Sequence, residues 1–427
     1  MFRRLLLDLV YGVVVIVAAP FWMRKARGDW RERFGHPGAA APKAPRPSDR
    51  RRHLMIHAVS VGEVNLTVPL VRRLTEEGSR WRVTVSVGTD TGIARARSLF
   101  GDHASVDVVR YPLDASWAVR RFLDRVRPDA VVLVELEVWP NFLDACAKRG
   151  IPVGVVNGRL SERSFRGYRR LRPVLRRYFS RLAFAAVQDE AYRERFASMG
   201  VPNDRLVVAG SMKWDSAALG VPWEAADRLA SEMGIDRSRP LLVGGSTAPE
   251  EHRVLVGALP DGYAQLLCAP RRPEWFDDAA EILGPRTVRR SLPGEGDASA
   301  GRFVLDTIGE LRAAYALADV VVVGRSFGEL AGSDPMEPAA LGKPVLIGPA
   351  YKDFREAVEA LRHAGGLKVV EAIEDMESEL RRLLSDKSAR TEMGEAAARC
   401  VREQAGATER HVELIERYLS AGEPTDA

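Results

Sequence analysis

The sequence predicts an α/β protein: two Rossmann-like, doubly wound domains with a cleft between them and an N-terminal membrane-anchor helix. Three observations carry this. Short Val/Ile/Leu/Ala runs alternate with amphipathic stretches, the βαβ rhythm of a parallel sheet clothed by helices. Several runs are unbroken, as in Ala130-Val131-Val132-Leu133-Val134, which suits strands buried on both faces. The rhythm stops near residues 214–238 and restarts at Leu241-Leu242-Val243-Gly244-Gly245, dividing the chain into two halves of similar size.

In chain order, residues 9–22, LVYGVVVIVAAPFW, come first. The run is short for a spanning helix, which needs about 17–25 residues. A cleaved signal is the rival reading, because Val17-Ala18-Ala19 resembles a cleavage site, but Pro20 follows it. Arg24, Lys25, Arg27, Arg31 and Arg33 outweigh Arg3 and Arg4 on the other flank, which leaves the main body cytoplasmic. The expectation is an uncleaved anchor with its basic flank over 1–35. Residues 36–52, HPGAAAPKAPRPSDRRR, read as a linker. Strands are expected over 53–59, 82–87, 105–112, 130–136, 151–157, 183–188 and 206–210. A second series is expected over 241–245, 264–269, 302–305, 320–324 and 344–347. The first domain is then 53–215, the interdomain linker 216–238 and the second domain 239–427. A last helix around 403–420 has an apolar stripe that could pack back across the halves.

The chain has 427 residues, 46% hydrophobic and 28% charged, an ordinary globular balance. Three well-separated cysteines, Cys146, Cys268 and Cys400, offer neither a zinc pattern nor a disulfide framework, and a reducing compartment fits best. Net charge is +5, with the excess at the N-terminal end, where residues 1–60 hold twelve Lys/Arg against four Asp/Glu. That suits an anionic membrane surface. No nucleic-acid-binding pattern is present.

Ligands of such folds bind beyond the C-terminal ends of the strands, so the loops there are informative. Neither GxGxxG after the first strand nor GxxxxGK[ST] occurs, and no acidic pair suggests a metal. Ile56-His57-Ala58-Val59-Ser60-Val61-Gly62-Glu63-Val64 runs a strand into a carboxylate. Glu63 either complements a helix dipole or sits where a raised proton affinity is useful. Glu135-Leu136-Glu137-Val138-Trp139-Pro140-Asn141 ends another strand in two carboxylates. At strand spacing these share a face, and like charges so placed raise one proton affinity. From Arg159 to Arg181 nine arginines are interleaved with aromatic residues, either a solvated helix face or a phosphate-seeking one. Lys213, in Gly210-Ser211-Met212-Lys213-Trp214-Asp215, could steady developing negative charge. In the second half Thr247-x-x-Glu250 reads as a capping box. Arg271 and Arg272 follow a strand, as does Asp306-Thr307-Ile308-Gly309-Glu310. Gly332-Ser333-Asp334-Pro335-Met336-Glu337 opens a helix suited to a nucleotide phosphate.

In order, IHAVSVGEV, ELEVWPN, NGRLSERS, GSMKWD, GGSTAPEE, APRRPEWF, DTIGEL and DPMEPAALGKPVLIGP resemble the motif series of the Kdo transferases. These bacterial enzymes add 3-deoxy-manno-octulosonic acid (Kdo) to the lipid A precursor. Arg31-Glu32-Arg33-Phe34-Gly35 is similar to that family's RERFG. The resemblance implies a GT-B fold, CMP-Kdo as donor, a lipid A precursor (lipid IVA) as acceptor, inversion at the anomeric carbon and no metal or other cofactor. It implies action in lipopolysaccharide core biosynthesis at the cytoplasmic face of the anionic inner membrane, with no nucleic-acid partner. Carried over, Glu63 is the general base, and Glu135, ahead of Glu137, stabilises the transition state with Lys213. CMP contacts fall on Pro270, Arg271, Ile308, Gly309, Glu310, Asp334, Pro335, Met336 and Glu337.

Two departures stand out. Ala331-Gly332-Ser333-Asp334 replaces the family's Gly-Gly-His-Asn, and Gly324-Arg325-Ser326 replaces Gly-Gly-Ser. Asp334 adds negative charge beside the expected phosphate, which Arg325 could offset. The alternatives are a sugar-nucleotide epimerase of the same fold, a transferase for a different activated sugar, and a catalytically dead homologue acting as a binding module.

Overall fold

The computed structural model describes residues 30–37, 51–218, 223–259 and 262–420. The expected anchor run, 9–22, and most of the expected linker lie outside them. Among the described residues no helix is long and apolar enough to cross a membrane.

The chain divides into two compact units. One holds the described residues up to Ser216 together with 406–420, and the other is Ala217–Ala405. The first unit is built on β1 (Arg52–Ala58), β2 (Trp81–Val87), β3 (Val106–Arg110), β4 (Ala130–Val134), β5 (Val153–Gly158), β6 (Phe184–Val187) and β7 (Leu206–Val208). They form one parallel sheet in the order β3-β2-β1-β4-β5-β6-β7. The direction of winding reverses between β1 and β4, and a crevice opens outside the strand ends at such a switch point. β4 is buried along its whole length, as its unbroken apolar run requires. Helices cover both faces, and one core gathers Met55, Val131, Leu133, Phe142, Phe179 and Phe196.

The short helix Trp30–Arg33 is tied to this unit by charge. Arg110, 5% exposed, meets Glu32 at 3.1 Å and Asp90 at 2.5 Å, and Arg33 meets Asp90 at 3.2 Å. The RERFG stretch is therefore a docking element of the first sheet.

The final helix, Ala407–Leu419, which the sequence places at the end of the second domain, belongs to the first unit. Ala407, His411, Ile415 and Leu419 are fully buried on one face. The Asp215 carboxylate accepts the amides of Gly406 and Thr408 at 2.6 and 2.5 Å, a negative group where the helix dipole favours one. The Asn157 amide donates to His411 Nε2 at 2.8 Å, while the other ring nitrogen of His411 lies 2.6 Å from the Ala407 carbonyl.

The second unit is built on β8 (Leu241–Thr247), β9 (Gln265–Pro270), β10 (Val288–Arg289), β11 (Arg302–Val304), β12 (Val320–Val323), β13 (Val345–Ile347) and β14 (Leu367–Val369). This sheet is also parallel, in the order β10-β11-β9-β8-β12-β13-β14, with its switch point between β8 and β12. β10 and β14 are the two edges and were not expected from sequence. One is two residues long and the other carries exposed Lys368 at its centre, so neither has an apolar run to read. The three cysteines are free and buried.

Candidate active site

The loops after β1 and β4 leave the first sheet side by side, and they bring three carboxylates together. Ser60 caps the helix Val61–Leu66, its Oγ accepting the Glu63 amide at 3.4 Å. Glu63 returns the contact, accepting from the Val59 amide at 2.8 Å and from the Ser60 hydroxyl at 3.1 Å. This reciprocal capping box fixes the side chain, so the acid that looks partnerless in sequence has two local donors. It is half-buried. Burial raises its pKa, the Val59 amide opposes this, and the charge of Glu135 adds to it.

β4 ends at Val134 rather than Leu136, because Glu135 turns into the left-handed region at φ 59. The strand-spacing argument for Glu135 and Glu137 therefore fails: neither lies on the strand. Their charges nevertheless act on each other and on Glu63. Glu137 Oε2 accepts the Trp139 indole N–H at 2.8 Å. Its pKa is pushed up to about 7, by burial first and then by the charge of Glu63, with Trp139 opposing and Glu135 adding. Of the three acids, Glu137 has the proton affinity raised furthest toward neutrality. Tyr168, on the helix Glu162–Arg170, is raised by burial and then by the charge of Glu137, so the arginine-rich segment flanks the cluster.

Lys213 lies in the helix Met212–Ala218 and is half-buried. Asn157, at φ 52, accepts the neighbouring Met212 amide on Oδ1 at 3.0 Å. This helix reaches the Glu63 helix through Ser216, whose hydroxyl donates to the Asn65 carbonyl at 3.4 Å. Among the described residues no carboxylate pairs with the Lys213 ammonium.

In the second unit, Pro270 ends β9 and the Arg271 amide donates to the Thr247 carbonyl at 3.0 Å, leaving the side chain exposed. Asp334 Oδ1 accepts the Met336 amide at 2.8 Å and so starts the helix Met336–Ala340, with Pro335 and Met336 buried. Arg271, Asp334 and Glu337 all act electrostatically on the buried Tyr315 hydroxyl, and Arg312 feels Glu337 and Asp334. Gly245 is required beneath this group, since a Cβ there would run into the Tyr315 ring. Glu310 is held elsewhere: Arg290 grips its carboxylate at 3.0–3.2 Å and Thr307 donates at 2.5 Å. Burial pushes the Glu310 pKa up, but these hydrogen bonds outweigh it and hold it low. Ile308 is 86% exposed and Gly309 has φ 102 with open space around it.

Sequence reasoning missed Glu251. The expected Thr247/Glu250 box is displaced by one residue: Ala248 is the cap, and it lacks a side-chain acceptor, so only the return half forms. Glu251, 3% exposed, accepts the amides of Ala248, Arg325, Ser326 and Phe327 at 2.8, 2.7, 2.8 and 3.2 Å. The signal was present, since the second Glu of GGSTAPEE stands at the third helical position. Among the described residues no group of His, Cys, Asp and Glu is arranged to hold a metal ion.

Two parallel Rossmann-like sheets, each with ionisable groups gathered at its winding reversal, are an architecture of glycosyltransferases, and that is the class to which this chain belongs. Residues 302–399 match the family described as glycosyl transferases group 1. The calicheamicin glycosyltransferase CalG4 shares the fold, with a TM-score of 0.53 at 16% identity over 88% of this chain and all of that one. The particular family follows from the first unit: residues 28–216 match the 3-deoxy-D-manno-octulosonic-acid transferase (kdotransferase) model. The chain is 34% identical to the 3-deoxy-D-manno-octulosonic acid transferase of Bordetella pertussis, over 96% of this chain and 99% of that one. It is 31% identical to the protein of the same name from Haemophilus influenzae, over 91% of each. The chain belongs to the Kdo transferase family, which sets the epimerase alternative aside.

Proposed function

We propose that this protein transfers Kdo from CMP-Kdo to a lipid A precursor, lipid IVA, in lipopolysaccharide core biosynthesis, with inversion and without a metal ion. The observation that carries this reading is Glu63, locked by two hydrogen bonds at the switch point of the first sheet with its proton affinity raised. A general base works best when its pKa approaches the operating pH. Glu63 takes the proton of the acceptor hydroxyl, the oxygen attacks the anomeric carbon, and the bond to the CMP oxygen breaks with its electron pair leaving on the phosphate. Arg271 and the Asp334–Glu337 helix start serve the nucleotide. Lys213 and Glu135 steady the transition state. Glu137, pushed up to about 7, carries its proton below that pH, where Glu63 then has one fewer neighbouring charge to oppose its ionisation.

The acceptor is a lipid, and the site of action is the cytoplasmic face of the anionic inner membrane. Supporting this is the arginine-rich pair of helices Glu162–Arg170 and Arg172–Phe179, which exposes Leu171 and Val174 among its guanidiniums beside the carboxylate cluster. Exposed apolar residues ringed by Arg suit a headgroup layer.

The test is mass spectrometry of lipid IVA after incubation with CMP-Kdo. Glu63→Gln is expected to lower the transfer rate by about 10²–10⁴-fold while CMP binding persists. Full turnover by that variant would show that the base lies elsewhere. Turnover by the wild type in excess chelator is expected, and loss reversed by a divalent ion would count against the metal-free reading.

A further inference from the structure

At the switch point of the second sheet three arginines act on one another, and among the described residues none of them is in an ion pair with a carboxylate. The loops leaving β8, β9 and β12 are stitched together there: Gly324 donates its amide to the Gly245 carbonyl at 2.8 Å, and Arg271 to that of Thr247 at 3.0 Å. Arg325 sits in this seam at φ 58, a conformation that a side-chain-bearing residue adopts only under strain. The family's Gly-Gly-Ser has Gly at this position, a residue that takes φ 58 without strain, where this chain has Arg. Glu251 holds the strained segment through the amides of residues 325–327.

The side chain is half-buried, and one Nη donates to the Leu330 carbonyl at 2.9 Å. Arg272 lies over the Trp275 ring at 4.9 Å. The Arg271 side chain is exposed. Among the described residues none of the three pairs with a carboxylate. Burial disfavours the charge on Arg325, and the charges of Arg271 and Arg272 disfavour it further, with Asp353 and Glu251 compensating in part. Cations held together against their mutual repulsion are matched by an anion of comparable charge.

We infer that Arg325 is a donor-binding residue: with Arg271 and Arg272 it forms a pocket for two negative charges, and it takes the carboxylate of the activated sugar while Arg271 takes the phosphate. This rests on the reading above, in which the donor is a CMP-linked sugar acid.

Arg325→Gly and Arg325→Gln test it. Glycine suits φ 58 and is expected to fold, and glutamine keeps a donor for Leu330. Both variants are expected to raise KM for CMP-Kdo by about ten- to a hundredfold, the loss typical of a charge-assisted hydrogen bond, with Kd for CMP within about twofold of wild type. An equal loss of CMP affinity would place the phosphate on Arg325 and overturn the assignment. An unchanged KM would reduce Arg325 to a loop staple. Failure of the donor reading shows separately, as a wild type that does not turn over CMP-Kdo. In that case binding of inorganic pyrophosphate reads the pocket, and a pocket requires Arg325→Gln to weaken it at least about tenfold.

Discussion

Glu63 and Glu137 act on each other's charge and differ in what surrounds them. Glu63 accepts two hydrogen bonds that favour its anion, and Glu137 accepts one, from Trp139, in a site where burial and two neighbouring carboxylates favour its acid form. The pH profile of kcat/KM is therefore expected to show an inflection near 7 from Glu137 above the acid limb set by Glu63. Glu137→Gln removes the inflection and leaves the limb in place, because Glu137 is already neutral where the limb falls. Persistence of the inflection in that variant would assign it to another group. The residue types of this cluster were legible in sequence, since carboxylates at two strand ends are visible without coordinates. Their ranking was not. It depends on Glu135 leaving the strand at φ 59, a choice made by the tertiary environment that no local pattern announces.

At the scale of elements the central strands were legible and the edges were not. A strand buried on both faces is apolar along most of its length, so β1, β4, β5, β8, β9 and β12 declare themselves. β10 and β14 are edge strands of two and three residues and carry no such run. The start of the helix Pro249–Ala258 was legible to within a residue, and that residue mattered, because it moved the capping carboxylate from Glu250 to Glu251. Glu251 joins two elements distant in sequence, the helix Pro249–Ala258 and the turn after β12. Glu251→Gln keeps one accepting oxygen and replaces the other with an NH2 group, which leaves two of the four bound amides without an acceptor. Leaving buried amides unsatisfied costs about 1–3 kcal/mol each, so a loss of about 2–4 kcal/mol is expected in denaturant unfolding of the second unit. A change under about 0.5 kcal/mol would mean that water replaces the carboxylate. Donor KM is expected to rise as well, because Arg325 loses its anchor.

Over the whole molecule, buried histidines and buried acids pull the pH dependence of stability in opposite directions. In the first unit burial lowers His53 to about 4, His57 to about 3 and His411 to about 4. Unfolded, each takes a proton near pH 6.5. Their contribution to stability is thus complete above about 6.5 and drains away as pH falls toward 4. Glu137, held up at about 7, does the reverse: between 7 and about 4.5 the folded chain binds a proton that the unfolded chain lacks, so acidification favours the fold through this residue, and Glu63 acts in the same sense. The acids therefore mask part of the histidine penalty. Glu137→Gln unmasks it. The variant is expected to be more stable than wild type at pH 8, where it removes a forced charge. It should lose stability more steeply between pH 6.5 and 4.5, by up to about 1.4 kcal/mol per pH unit, the value of one proton. Calorimetry of the first-unit transition across that range measures the difference. Parallel curves for variant and wild type would mean that Glu137 is ionised in the folded protein, and the division of labour among the three acids would have to be redrawn around Glu135.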